Sequence, residues 1–96
     1  MKESTFQQSI INELRERLPD CVILKNDANQ KQGFPDLLIL YNDRWAALEV
    51  KRSNTASHRP NQDYYVDKLD GMSFASFISP ETKEEILNEL QRSLSA

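Results

Sequence analysis

The sequence predicts an α/β fold in which a small mixed sheet is flanked by helices. Apolar spacing gives secondary-structure elements in the order α-β-β-β-α-β-α. The run Leu37–Leu40 is apolar at every position, which is typical of a central strand covered on both faces. The 96 residues contain no repeat, low-complexity stretch or internal linker. We therefore expect one domain, 1–96, with helices packed on both faces of the sheet.

The first half of the sequence predicts one helix and three strands. Apolar residues recur at helical spacing from about 4 to 18, and Ser4 to Gln7 fit a capping box. This interpretation begins the helix at Ser4 and leaves Glu3 outside it. A polar loop, 26–33, separates the first two strands. Short apolar runs predict the strands at 21–24, 37–40 and 45–50. The turn Asn42-Asp43 joins the last two of them as a hairpin.

The second half predicts a helix, a strand and a last helix. Pro60 suits the first turn of the second helix, which is expected to end at Gly71. A fourth strand follows at 72–78. Ser79-Pro80 has the residue types of an N-cap and a first helical position, so it predicts the start of the last helix. The apolar stripe of that helix consists of Ile86, Leu87, Leu90 and Leu94.

Composition excludes several classes of protein. No apolar run approaches the roughly 18 residues of a membrane span, and the N-terminus lacks the apolar core of a secretion signal, so a cytoplasmic protein is expected. The single cysteine, Cys21, cannot form an internal disulfide and has no partners for a thiolate zinc site. Its position in an apolar run indicates a buried strand residue rather than a reactive thiol.

The charge distribution is uneven along the chain. A net charge of -3 argues mildly against a nucleic-acid partner, because phosphate binding normally depends on an excess of Lys and Arg. However, the segment from Lys25 to Arg59 holds six bases against four acids, while the rest holds six bases against eleven acids. If a metal neutralised Asp36 and Glu49, the middle would carry +4 and the flanks -5. The chain therefore has a basic middle and acidic flanks.

Three charged residues lie in or beside two apolar strands. Because side chains alternate along a strand, Glu49 and Lys51 point to one face and Val50 to the other. The hairpin returns this segment beside Asp36, so two carboxylates and the Val50 carbonyl are expected to converge. Such oxygen ligands suit Mg2+ or Mn2+, which can activate water for attack on a phosphodiester. Lys51 could hold that water or stabilise charge on the phosphorus.

These motifs resemble those of a known nuclease superfamily. Pro35-Asp36 followed by Glu49-Val50-Lys51 looks like the signature of the PD-(D/E)XK nucleases, and the element order is similar to their αβββαβ core. Further features resemble the virus-type replication-repair (VRR-NUC) branch, whose pattern has Glu and Gln on the first helix, G-x-PD, E-V-K, and Gln on the second helix. The matching positions are Glu3, Gln7, Gly33-Phe34-Pro35-Asp36, Glu49-Val50-Lys51 and Gln62.

The resemblance implies a restriction-endonuclease-like core with an extra C-terminal helix, and an Mg2+- or Mn2+-dependent endonuclease without an organic cofactor. It implies that Asp36, Glu49 and the Val50 carbonyl bind metal, that Lys51 is catalytic, and that Gln62 supports the site. Glu3 remains open, since it could equally be a solvated N-terminal residue. Small stand-alone members are similar to phage-borne homodimeric structure-specific DNA nucleases, some of them Holliday junction resolvases, which implies branched DNA in a bacterial or phage-infected cell. Phosphate contacts are then expected from Lys25, Lys31, Arg52, His58 and Arg59.

A different class of function remains open beside the endonuclease. A catalytically silent nuclease-fold module could bind nucleic acid or a protein partner, although the intact set of Asp36, Glu49 and Lys51 favours catalysis. A homodimer would bury either the exposed part of the first helix or the aromatics near residue 64. The aromatic residues are interpreted as core or dimer contacts rather than base-stacking platforms, and they are Trp45, Tyr64, Tyr65, Phe74 and Phe77.

Overall fold

The computed structural model describes residues 2–26 and 31–96. The described residues form the predicted series of elements, so the α/β class is confirmed. No helix among them has the length and apolarity to cross a bilayer. The predicted loop 26–33 lies partly outside the described residues. The elements are α1 (Glu3–Arg17), β1 (Val22–Lys25), β2 (Leu37–Tyr41), β3 (Arg44–Val50), α2 (Gln62–Met72), β4 (Phe74–Ile78) and α3 (Lys83–Ser95).

The sheet is mixed, with the strands side by side in chain order β1-β2-β3-β4. β1, β2 and β3 pair antiparallel, whereas β3 and β4 pair parallel because α2 crosses over between them. The turn between β2 and β3 places Asn42 at φ 57°, a left-handed conformation that asparagine tolerates. The resulting register sets Leu37 opposite Leu48. Asp36, one residue before Leu37, is thereby brought to the level of Glu49.

Alternating residues of β3 divide the interior into two cores. Leu48 and Val50 are fully buried in the larger core, which α1 and α3 complete. Ala47 belongs to the smaller core on the opposite face, where it packs with Val66 and Leu69 of α2. Helices therefore cover both faces, as predicted. The alternation directs Glu49 to the face that α2 covers.

The first helix begins one residue earlier than its capping-box pattern indicates. Lys2 is the N-cap, since its carbonyl oxygen accepts the first helical hydrogen bond from the Phe6 N–H at 3.0 Å. No side chain caps this end, so the interpretation of Ser4 to Gln7 as a capping box is wrong. Phe6, in the first turn of the helix, is buried in the core. Glu3 consequently lies within the first turn of α1.

The other two helices, in contrast, begin later than predicted. α2 starts at Gln62, two residues after Pro60, because Asn61 adopts a left-handed conformation at φ 72°. α3 starts at Lys83 with Thr82 as its N-cap, so the prediction for Ser79-Pro80 is wrong. Ser79 instead begins a turn in which its N–H donates to Thr82 Oγ1 at 3.1 Å.

One part of the sheet is less covered than its sequence predicts. α2 packs over β3 and β4, which leaves the same face of β1 and β2 open. Val22 and Leu24 on the edge strand β1 are 51% and 49% exposed, respectively. Their cross-strand partners Leu40 and Leu38 are half-buried rather than enclosed. The expectation of complete cover on both faces of β2 is therefore wrong for this face.

Gly71 provides a test of where α2 ends. The helix continues through Gly71 to Met72, and a Cβ atom at Gly71 would meet no other atom within 4 Å. Alanine has a higher helix propensity and lowers the entropy of the unfolded chain. We therefore expect Gly71→Ala to raise the free energy of unfolding by about 0.5–1 kcal/mol. Urea denaturation measures this change, and a loss of stability would show that the helix ends before Gly71.

Candidate active site

The hairpin between β2 and β3 brings the first carboxylate to the end of β3. Asp36 Oδ2 accepts a hydrogen bond from the Val50 N–H at 2.9 Å. The N–H and C=O of one residue point to the same side of a strand, so the Val50 carbonyl faces the Asp36 side as well. The next amide, that of Lys51, points the other way and donates to the Ile78 carbonyl of β4 at 2.8 Å. The structure thus brings Asp36 into contact with the backbone of Val50.

A buried amide joins the other two charged residues of the motif. Glu49 is 4% exposed and Lys51 is 8% exposed, and both point toward α2. Gln62 Nε2 donates to Glu49 Oε2 at 2.9 Å, and Gln62 Oε1 accepts from Lys51 Nζ at 2.6 Å. The same oxygen accepts the Arg59 N–H at 2.8 Å. Gln62 therefore sets the distance between the carboxylate and the ammonium group.

Lys51 has a second fixed partner in the loop that precedes α2. Its Nζ donates to the Ser57 carbonyl at 3.2 Å. These two acceptors hold an otherwise flexible side chain in one place. Less conformational entropy is then lost when the ammonium group binds a ligand. One donor position of the ammonium group is left for a ligand.

Burial perturbs the protonation of both carboxyl groups, and the charge of Asp36 adds to the pKa shift of Glu49. Burial, and next the nearby charge of Asp36, raise the pKa of Glu49 to about 8, with Lys51 acting in the opposite direction. Burial also raises the pKa of Asp36, although the hydrogen bond from the Val50 N–H opposes this. Two carboxylates in a poorly solvated cleft repel each other when both are charged. A bound cation would relieve that repulsion.

The donor atoms fit a hard divalent ion. Asp36, Glu49 and the Val50 carbonyl offer oxygen ligands only, the chemistry that Mg2+ and Mn2+ prefer. Within residues 2–26 and 31–96, no three His, Cys, Asp or Glu side chains are grouped closely enough to hold a metal. An ion here would therefore take two carboxylates and a carbonyl from the chain and complete its shell with water.

A glycine brings two loops together at the rim of this site. The site opens into a cleft of about 490 Å³, and Gly33 forms part of its wall. Gly33 has φ 86°, and a Cβ there would lie 2.6 Å from Asn61 Cβ and 2.8 Å from the Pro60 carbonyl oxygen. Only glycine allows this approach without displacement of the backbone. The glycine of the G-x-PD pattern therefore packs residues 31–36, the Asp36 loop, against the turn before Gln62.

Glu3 lies in the first turn of α1, contrary to the expectation that it lies outside the helix. It also lines the same cleft. The early start of α1 turns it toward Glu49, and its charge adds slightly to the raised pKa of that carboxyl. Glu3 itself is exposed, whereas Gln7, one turn further along α1, is half-buried.

The predicted phosphate-binding residues lie in different places. Arg59 lines the carboxylate cleft, and both it and Arg52 line a neighbouring cleft. Neither cleft is lined by Lys25 or Lys31. Lys25 is the exposed last residue of β1, and Lys31 Nζ lies 5.4 Å from the centre of the Tyr65 ring. The structure thus brings Arg52 and Arg59 to the site but not the two lysines.

His58 has an ordered partner that sequence analysis missed. Its Nδ1 lies 2.7 Å from Asp63 Oδ1, and its ring stacks on Phe77 with centroids 4.0 Å apart. The spacing of five residues across the start of a helix gave no signal for this pair. Lys2 was also missed, although it lines the neighbouring cleft beside Glu3.

The raised pKa of Glu49 predicts a stability cost that depends on pH. A carboxyl whose folded-state pKa is about 8 is protonated at pH 4 and does not lower the free energy of unfolding there. The loss of stability grows as the pH rises, until the pH passes that value. Glu49→Gln keeps the acceptor for Gln62 but carries no charge. Without divalent metal at pH 9, we expect this variant to unfold about 5 °C or more above the wild type, and to match it at pH 4.

Thermal unfolding in EDTA at both pH values measures this difference. The matched control is Glu16→Gln, at an exposed position of α1, which should leave the midpoint nearly unchanged at either pH. Equal midpoints for Glu49→Gln and the wild type at pH 9 would contradict a repulsive carboxyl pair.

The chain is similar to several solved structures, including the following two. A structure described as a VRR_NUC domain protein matches with a TM-score of 0.72 and 17% identity, covering 99% of this chain and 89% of the other. Hjc of Archaeoglobus fulgidus, a Holliday junction resolvase, matches with a TM-score of 0.54 and 11% identity, covering 79% and 67%. The sequence matches no family model and no curated protein.

These similarities agree with the mixed four-stranded sheet and its three helices. At such low identities they concern the fold and not the activity. The chain therefore shares its fold with the VRR_NUC domain protein, in agreement with the fold that its motifs implied.

Proposed function

We propose that the chain is an Mg2+- or Mn2+-dependent DNA endonuclease that cuts branched DNA, with Holliday junctions as the leading substrate. The observation that carries the proposal is the buried connection from Glu49 through Gln62 to Lys51, beside Asp36. An ion pair with only a structural role would not need a second carboxyl, that of Asp36, whose charge raises the pKa of Glu49. The DNA substrate and its branched form are supported by the name of one similar structure, a Holliday junction resolvase.

Each residue has a distinct part in this mechanism. Asp36, Glu49 and the Val50 carbonyl would hold the divalent ion, which when bound supplies an acidified water and charge stabilisation at the phosphoryl oxygen. Lys51 holds its ammonium group against the Gln62 amide that also binds Glu49, and there it can orient a water or stabilise the charge that develops on the phosphate.

Gln62 acts through the other residues. Its amide holds Glu49 and Lys51 at fixed positions, so it is a positioning residue rather than a catalytic one. Loss of such support typically costs 10–100-fold in activity or metal affinity.

A cleavage assay tests the proposal. Wild-type protein is mixed with labelled four-way junction, flap and duplex DNA in Mg2+, Mn2+, Ca2+ or EDTA. We expect cutting of the junction in Mg2+ or Mn2+, binding without cutting in Ca2+, and no cutting in EDTA. Cleavage that persists in excess EDTA would contradict the role of a metal.

Isosteric variants separate the roles of the three charged residues. Because Glu49 is buried, alanine there would open a cavity, and Asp36→Asn and Glu49→Gln are better tests. Each should lose metal binding by calorimetry and reduce cleavage by about 10³-fold. Lys51→Met should reduce cleavage by about 10²–10³-fold yet still bind metal. Binding of junction DNA by a wild type that never cuts would favour the alternative of a catalytically silent binding module.

The proposed active form is a homodimer, since a symmetric junction requires two cuts. The face of β1 and β2 that α2 leaves open offers a surface for this dimer. Val22 and Leu24 are large exposed hydrophobic residues on an edge strand, and half-buried Leu38 and Leu40 continue the patch. Exposed apolar edges promote pairing of chains. This patch on β1 and β2 was not among the two dimer surfaces considered from sequence.

Sedimentation tests the dimer and its surface. Wild-type protein should have about twice the 11.1 kDa chain mass at micromolar concentration. Leu24→Glu should sediment as a monomer, because a charge would be buried in the contact. Gln8→Arg, on the exposed side of α1, should remain a dimer. Dissociation by Gln8→Arg alone would place the contact on the first helix instead.

A further inference from the structure

A second cleft, of about 830 Å³, adjoins the carboxylate cleft. The two share Glu3, Lys51 and Arg59 as a common wall. On the far side of this wall, the second cleft is lined by Lys2 at the start of α1 and by Arg52 just after β3. A chain of phosphates that crosses the wall would therefore occupy both clefts in succession.

The two clefts differ in the sign of their charge. The carboxylate cleft holds three acids, Glu3, Asp36 and Glu49, against Lys51 and Arg59. The second cleft, named the basic cleft here, has Lys2, Arg52 and the two shared cations against Glu3 alone. An excess of three positive charges in one concave surface is notable in a chain whose net charge is -3.

Three cations of the basic cleft, Lys2, Arg52 and Arg59, are available to a ligand. In the described parts of the chain, the ion pairs involve Arg17, Lys83 and His58, and none involves Lys2, Arg52 or Arg59. The backbone around them is nonetheless fixed. The Lys2 carbonyl accepts the first hydrogen bond of α1, and the Arg59 N–H donates to Gln62 Oε1. Fixed backbone with unpaired guanidinium and ammonium groups suits the binding of a phosphodiester.

We propose that the basic cleft binds the backbone phosphate adjacent to the one that the carboxylate cleft cuts, with Lys2 and Arg52 as its specific ligands. The description of the phosphate in the carboxylate cleft as the one that is cut rests on the proposed endonuclease function. Binding of a phosphate in the basic cleft does not. Arg59 and Lys51, in the common wall, contact both phosphates. The pair of clefts thereby sets the register of the DNA strand on the protein.

Binding measurements in Ca2+ test the proposal without any need for cleavage. The double variant Lys2→Gln/Arg52→Gln is compared with Lys68→Gln/Arg92→Gln, which removes the same charge at exposed positions that line neither cleft. We expect the first to bind junction DNA about tenfold more weakly than the second. The plot of log affinity against log salt should become shallower by about 1. Equal losses for the two double variants would overturn the proposal.

A single neutral methylphosphonate in the DNA identifies the phosphate. Placed next to the mapped cut, on one of its two sides, it should weaken binding by the wild type about tenfold and add no loss to Lys2→Gln/Arg52→Gln. The same penalty in both proteins at both adjacent positions would exclude contact with the basic cleft. If the protein never cuts, the scan is made along the whole bound strand. One position that is sensitive only in the wild type then supports the phosphate site while the endonuclease proposal fails.

Discussion

The arrangement of the site depends on one buried amide. Gln62 spans the gap between a carboxylate and an ammonium group that the strand places on one face two residues apart. Without it, both charges would lie in a nearly dry space with unsatisfied hydrogen-bonding groups, which costs several kcal/mol in typical proteins. The same side chain accepts the Arg59 N–H and so fixes the turn before α2. Gly33 must pack against that turn, and therefore the Asp36 loop also depends on Gln62.

The other face of β3 allows the domain to tolerate the two buried carboxyl groups of the site. Leu48 and Val50 alternate with the charged residues and are fully buried in the larger core. The strand is thus held by hydrophobic contacts on the side of α1 and α3, while the side of α2 can hold two carboxyls with raised pKa values. In small domains, where total stability is only about 5–15 kcal/mol, such a division confines the cost of function to one face.

Sequence rules predicted the parts of the structure that depend on local geometry. Alternation along β3 and the two-residue turn were sufficient to bring Asp36 to Glu49, because register follows from the turn. The ends of the helices were predicted less well, since the capping pattern at Ser4 to Gln7 is not used and no side chain caps the start of α1. The nearly complete burial of Glu49 results from the crossover of α2 over β3, a tertiary contact that no short pattern encodes.

Net charge was the least informative of the sequence observations. The value of -3 argues mildly against DNA, yet neither cleft is lined by any residue of α3, which carries three of the acids: Glu84, Glu85 and Glu89. Exposed charges more than a Debye length apart, about 8 Å at physiological salt, are largely screened from one another. A phosphate in the basic cleft therefore experiences Lys2, Arg52 and Arg59 far more than distant carboxylates. What matters for binding DNA is the charge that the fold gathers at one surface, and here α1, the end of β3 and the loop before α2 each contribute one of those cations.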